Sequence, residues 1–240
     1  MNDVQVFLLN LPAPDSDQPR LISYLSAEER ARWERFGHPL AGQRFLAGRG
    51  LLRGLLGRWL NCSPTLVPLQ TEGNGKPFLA LERGQKLAFS VSHSGDLVGV
   101  AIGTVLRLGL DVEALREEYD AAPIVRRFFT PEEFEDWQAV PAGQQSKVFF
   151  RAWTRREAYL KGTGEGISGI GNVRLTMAHD QPRALLSCAG DPDAPKRWWF
   201  SEFTRVPGYV AALAVEGPLM AVEWRPIGWE ILSQTVDKLD

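Results

Sequence analysis

Cysteine and histidine are scarce in this chain. Cys62 and Cys188 are its two cysteines, and its three histidines stand far apart at 38, 93 and 179. Two distant cysteines supply neither a disulfide framework nor a thiolate zinc site, which leads to the expectation of a reducing, cytoplasmic setting. Histidines so dispersed argue against an imidazole-ligated metal centre. No apolar run approaches the ~20 residues needed to cross a bilayer, so no membrane role is expected. The opening "MNDVQVFLLNLPAPD" lacks a basic leader and a small-residue cleavage site, and it reads as a strand rather than a signal peptide. A surplus of positive charge is missing too. With 27 Lys and Arg against 29 Asp and Glu, the net charge of −2 gives no general attraction to nucleic acid.

What is present is an ordinary globular composition, 44% hydrophobic and 23% charged. The 240 residues suffice for one large domain or two lobes of roughly 110 residues each. Charge is unevenly placed: Arg30 to Arg58 holds seven arginines and one acid, Glu34. A solvated helix face is the common reason for such a run. Within "RFLAGRGLLRGLLGRWL", however, Phe45, Leu52, Leu55, Leu56 and Trp59 form a core stripe, and Arg49 lies inside it or at its edge. A partly buried arginine needs an anion or a carboxylate, so Arg49 is the better anion-site candidate of the run.

The periodicities give a mixed α+β chain. Strands are expected at 4–10, 87–94, 96–103 and 105–113, and helices over 27–36, 41–60, 121–128, 131–139 and 146–161. Ser26 caps the first helix, and Thr130-Pro131-Glu132-Glu133 has the form of a capping box. The remainder, including "ALLSCAG", "RWWFSEFTRV" and "GYVAALAV", reads as strands with turns. "SGDLVGVAIG" (94–103) faintly echoes "PGYVAALAVEG" (207–217), a hint of two similar lobes.

Three local patterns carry potential chemistry. In "GLDVE", Asp111 and Glu113 project to one side of a strand, as suits Mg²⁺; an exposed edge strand would look the same. In "FFRAWTRREAYLKGTGEGI", Phe149, Trp153, Glu157 and Lys161 fall on one helical stripe. A surface Glu–Lys pair is the bland reading; a third carboxylate completing a metal set, with Lys161 facing a phosphate, is the sharper one. In "FSVSHSG", adjacent Ser92 and His93 point to opposite faces and cannot work as nucleophile and base, whereas phosphate binding suits them better. Two glycine motifs mislead. "GEGISG" (164–169) matches a dinucleotide fingerprint but follows a helix, and "GNGKP" (73–77) has Pro77 where a P-loop needs Ser or Thr.

Taken in order, "GKP" (75–77), "SHSG" (92–95), "GLDVE" (109–113) and "WTRREAYLKGTGEG" (153–166) resemble the successive motifs of the surfactin-type 4′-phosphopantetheinyl transferases. A fainter match, "SAEERARWERF…AGRGLLR", covers 26–53. The resemblance implies two similar α+β lobes related by pseudo-twofold symmetry, divided here as 1–108 and 109–240, with the active site between them. It implies a cytoplasmic monomer that moves phosphopantetheine from coenzyme A to a serine of an acidic acyl or peptidyl carrier protein, releasing adenosine 3′,5′-bisphosphate. By position, Asp111, Glu113 and Glu157 would ligate Mg²⁺, with Glu157 helping to deprotonate the carrier serine. Lys161 would contact the pyrophosphate; Lys76, Ser92 and His93 would hold phosphates of the coenzyme, and Arg49 its 3′-phosphate. Arg156 departs from the family's usual Lys, and Glu29 stands where a relative has a phosphate-binding Lys. Arg116, Arg126 and Arg127 are candidate carrier contacts. The rival readings are a non-catalytic coenzyme A-binding module and a magnesium phosphodiesterase.

Overall fold

In a computed structural model, residues 4–71, 77–80, 87–217, 221–227 and 229 are described. The elements in chain order are β1 (Val4–Asn10), α1 (Gln18–Tyr24), α2 (Ala27–Glu34), α3 (Pro39–Leu60), β2 (Leu69–Thr71), β3 (Pro77–Leu79), β4 (Ala88–Ser94), β5 (Leu97–Gly103) and β6 (Arg107–Ala114). Then follow α4 (Ala122–Phe128), α5 (Pro131–Gln138), α6 (Ala142–Thr163), β7 (Val173–Leu175), β8 (Leu185–Cys188), α7 (Ala194–Arg197), β9 (Trp198–Phe203), β10 (Tyr209–Glu216) and β11 (Val222–Ile227). The chain is α+β, as its sequence indicates. By spatial proximity it forms two compact units, one of residues 8–86 with 226–240 and one of residues 1–7 with 87–225. Among the described residues no helix is long and apolar enough to cross a membrane.

The 8–86 unit is built on α3, whose middle is buried on nearly every side. Gly50 explains how α1 reaches it: a Cβ there would lie 2.8 Å from the Leu21 side chain, so the glycine lets α1 cross closely. Helix α1 is not among the expected elements; its Pro19 occupies the first turn, where its missing N–H costs nothing. Two members of the expected α3 stripe need correction, since Phe45 is only partly buried and Trp59 is 41% exposed. Trp59 lies in the last turn of α3, and Phe45 packs against Phe36 and the guanidinium groups of Arg32 and Arg49.

In the 87–225 unit a three-stranded antiparallel sheet runs β6-β10-β9, and β4 and β5 belong to a sheet of order β11-β1-β5-β4. The two strands of the sequence echo, β5 and β10, each occupy an interior position of their sheet and are buried nearly throughout. Strand β6 is buried on both faces from Leu108 to Val112, which explains why its alternation does not mark a half-exposed strand. Leu106, inside the strand expected over 105–113, lies before β6 and is 62% exposed. Gly109 brings α6 close. A Cβ at Gly109 would sit 2.0 Å from the Ala158 carbonyl oxygen and 2.4 Å from the Gly162 nitrogen, so backbone meets backbone there. Residues 111 and 113 share the Gly109 face and are therefore turned towards α6.

Arginines at 155 and 156 within α6 are fully buried, against the general rule for charged residues. Arg156 donates to Glu133 at 2.6 Å and to the carbonyls of Ile170 and Val173 at 2.8 Å, with its guanidinium over the Phe129 ring. Burial pulls its pKa below the ordinary value and Glu133 opposes that shift. Arg156, the departure from the family's Lys, is thus a structural tie between α6, α5 and the segment leading to β7.

Candidate active site

Side chains of Val91, Ser92, His93, Asp111, Glu113, Trp153, Glu157 and Lys161 line one pocket of about 310 Å³, entirely within the 87–225 unit. Three elements supply them: β4, β6 and α6. On α6 the stripe seen in the sequence runs from core to pocket. Phe149 is buried among Tyr119, Phe129 and Phe150, and the Trp153 ring lies tilted beside it with centroids 5.8 Å apart and forms pocket wall. Glu157 and Lys161 follow one and two turns on. Gly164, with φ of +82°, ends the helix in the left-handed conformation that glycine adopts without strain. The "GEGISG" match then winds into a 3₁₀ segment, Gly166–Asn172, and forms no strand-turn-helix cradle.

The Lys161 ammonium donates to Asp111 Oδ1 at 2.7 Å and to Ser92 Oγ at 2.8 Å, so it bridges the helix to both strands. Asp111 is only 4% exposed. One of its oxygens is taken by Lys161 and Ser92; the other, Oδ2, is buried without a hydrogen-bond partner among the described residues. A buried carboxylate oxygen left bare is costly unless something cationic meets it. Ala212 stands opposite Asp111 on β10, a small residue beside the carboxylate.

The electrostatics point the same way. Burial and then the charge of Asp111 raise the Glu157 pKa, with Lys161 and Arg156 pulling it down. Glu113 is likewise raised, first by burial and then by Asp111, while its hydrogen bond from Ser94 and the charges of Lys161 and Arg116 work against the shift. Three acids around one small volume leave negative charge that a hard dication would neutralise, and oxygen-only donors suit Mg²⁺. The donor chemistry therefore fits such an ion. Among the described residues, no three His, Cys, Asp or Glu side chains are gathered closely enough to ligate an ion as they stand.

The residues singled out in the sequence divide as follows. Asp111, Glu113, Glu157, Lys161, Ser92 and His93 come together; His93 is exposed at the pocket, whereas Ser92 is 5% exposed with its hydroxyl engaged by Asp111, Val112 and Lys161. Lys76 lies outside the described residues. Arg49 belongs to the 8–86 unit, where its guanidinium pairs with Glu29 at 3.5 Å and lies over the Phe45 ring. Glu29 also pairs with Arg53 and closes the Ser26 capping box of α2. The carboxylate that a half-hidden Arg49 requires is thus Glu29 itself, on an adjacent helix. Sequence reasoning missed Ser94 and the wall position of Trp153. Ser94 was legible: "SHS" repeats, at the same spacing, the "DVE" pattern it serves.

The chain is similar to known proteins along most of its length. The family model of the 4′-phosphopantetheinyl transferase superfamily matches residues 107–214, and a model of the amino-terminal part of 4′-phosphopantetheinyl transferases matches residues 13–104. The 4′-phosphopantetheinyl transferase HetI of Nostoc sp. is 36% identical over 229 residues, 95% of this chain and 92% of the relative. The 4′-phosphopantetheinyl transferase psf-1 of Bacillus pumilus is 30% identical over 91% of this chain and 92% of its own. The 4′-phosphopantetheinyl transferase Sfp of Bacillus subtilis is 25% identical over 88% of this chain and 90% of its own. With matches this long across both halves, and the acids and lysine of its motifs gathered on one pocket, the chain belongs to the 4′-phosphopantetheinyl transferase superfamily.

Proposed function

We propose that this enzyme takes its phosphopantetheine from coenzyme A, places it on a serine of an acidic acyl or peptidyl carrier protein, and releases adenosine 3′,5′-bisphosphate. Mg²⁺ would be held by Asp111, Glu113 and Glu157. The observation that carries this reading is the bare, buried Asp111 Oδ2 in a pocket that also holds Glu113, Glu157, His93 and Lys161. When bound, the ion would neutralise the pyrophosphate and favour its cleavage. The chain's own groups do the rest. Lys161 and His93, with Lys76, would grip the coenzyme's phosphates, and Arg49, already paired with Glu29, would share its charge with the 3′-phosphate. Ser92, its hydroxyl engaged, would act by holding Asp111 and Lys161 in place. The serine oxygen forms a bond to the phosphorus bearing pantetheine as the bond to the nucleotide phosphate breaks. Glu157 accepts the serine proton directly or through water. The test is to incubate the enzyme with coenzyme A, Mg²⁺ and an apo carrier and to weigh the carrier. A gain of one phosphopantetheine supports transfer; hydrolysed coenzyme A with unmodified carrier supports a phosphodiesterase; no change supports a binding module.

Cation binding also has a thermal signature. The raised pKa values of Glu113 and Glu157 mean that protonation favours the folded state. Stability from these groups is therefore fully present below the ordinary carboxylate range and is lost as pH rises through their folded values. Protons and Mg²⁺ compete for the same oxygens, so added Mg²⁺ should raise the melting temperature more at about pH 7.5 than at about pH 5. Equal increments at the two pH values would remove these carboxylates from the cation site.

For the carrier, Arg126 and Arg127 on α4 are exposed, with their guanidinium groups over the Phe134 and Phe128 rings. Reversing both charges is expected to raise KM for the carrier about tenfold and leave KM for coenzyme A unchanged. An unaltered carrier KM would make them solvated helix arginines.

A further inference from the structure

The facing edges of β4 and β6 carry a duplicated arrangement. Ser92 Oγ accepts from the Val112 amide at 3.2 Å and donates to Asp111 Oδ1 at 2.9 Å. Two residues on, Ser94 Oγ accepts from the Ala114 amide at 3.1 Å and donates to Glu113 Oε2 at 2.8 Å. Each hydroxyl thus binds one carboxylate and the amide of the residue after it. Since β4 and β6 are edge strands of different sheets, the hydroxyls stand where ladder carbonyls would otherwise accept those amides. The donated proton goes in both cases to an acid of the pocket, and the matched spacing on both strands makes the arrangement one device repeated. The turn beyond Ser94 is held as well: Gly95 has φ of +53°, and the Asp96 amide donates to Tyr209 Oη at 2.9 Å.

We infer that Ser94 is a positioning residue for Glu113, fixing the carboxylate for the divalent cation as Ser92 fixes that of Asp111. A glutamate on a strand has rotamers to lose when it ligates; a donor on one oxygen, itself anchored by a backbone amide, selects among them beforehand. Asp111 also has Lys161, whereas Glu113 is held by the hydrogen bond from Ser94. The loss of the Ser94 hydroxyl should therefore be felt in cation affinity.

This inference rests on the reading of Asp111, Glu113 and Glu157 as cation ligands, and the test separates the two. Mn²⁺ alone is titrated into the intact chain without coenzyme A, and free ion is read by electron paramagnetic resonance. Ser94→Ala is expected to bind Mn²⁺ about tenfold more weakly, Ser94→Thr, which keeps the hydroxyl, to bind within about twofold of the parent, and Asp111→Ala to lose binding. Parent-like affinity in Ser94→Ala with loss in Asp111→Ala would overturn the role of Ser94 and leave the cation site standing. Parent-like affinity in both would overturn both readings, and equal weakening in Ser94→Thr and Ser94→Ala would remove the hydroxyl from the explanation. Should Ser94→Ala not fold, Ser94→Cys, close in shape and a weak donor, takes its place with the same two readings.

Discussion

Carrier modification by the Glu157→Gln variant is expected to fall by about 10²–10⁴-fold in kcat, while its melting temperature without Mg²⁺ stays level or rises. The two halves of that expectation have one cause. Burial and the neighbouring Asp111 both disfavour the Glu157 carboxylate in the folded chain. An amide of the same size relieves that repulsion, so the fold loses nothing, but it cannot take a proton and ligates a hard cation less well. A rate within about tenfold of the parent would exclude Glu157 as the proton acceptor. A sharp loss of thermal stability would mean instead that the residue is part of the scaffold. Single-turnover measurement with saturating coenzyme A gives the rate, and scanning fluorimetry of the cation-free chain gives the midpoint.

Glu133→Ala should produce the largest stability effect, about 3–5 kcal/mol by urea denaturation. Glu133 and Arg156 are fully buried and 2.6 Å apart, so truncation strands a guanidinium in the core. The same carboxylate accepts from the Leu175 amide at 2.7 Å and from the Thr130 amide at 2.8 Å, closing the α5 capping box. One side chain thereby serves α5, α6 and the end of β7. Against a typical total of about 5–15 kcal/mol, such a loss leaves the domain marginal. A change below about 1 kcal/mol would show that water replaces the pair readily. The activity of whatever remains folded should be close to that of the parent, because neither residue lines the pocket.

That contrast explains what could be read from the sequence. The chemistry was local and periodic: "DVE" at strand spacing, Glu157 and Lys161 at helical spacing, and the Thr130 to Glu133 box. Each of these patterns is written within a few residues, and each took the expected element in the structure. What sequence left open was pairing at a distance. Nothing near Arg49 announces that Glu29, twenty positions earlier, is its partner, nor does Arg156 disclose Glu133. Burial of both faces of β6 was hidden for a similar reason, because Gly109 reads as a polar-side gap when its function is to admit α6. Helix α1 shows the same limit. Pro19 is compatible with a chain break or with the first turn of a helix, and the packing against Gly50 that favours the helix is not local in sequence.

The contact of Gly109 with Ala158 and Gly162 has a further consequence. Where two main chains touch without intervening side chains, no rotamer change can absorb a shift, and the helix can neither slide nor roll on the strand. The aspartate two residues along β6 and the glutamate and lysine beside that crossing on α6 are thereby riveted at a fixed gauge. Filling the notch with a single methyl would move Asp111 and Glu113 relative to Glu157 and Lys161 at once, so the tolerance of the reaction centre is set by a residue that takes no part in the chemistry.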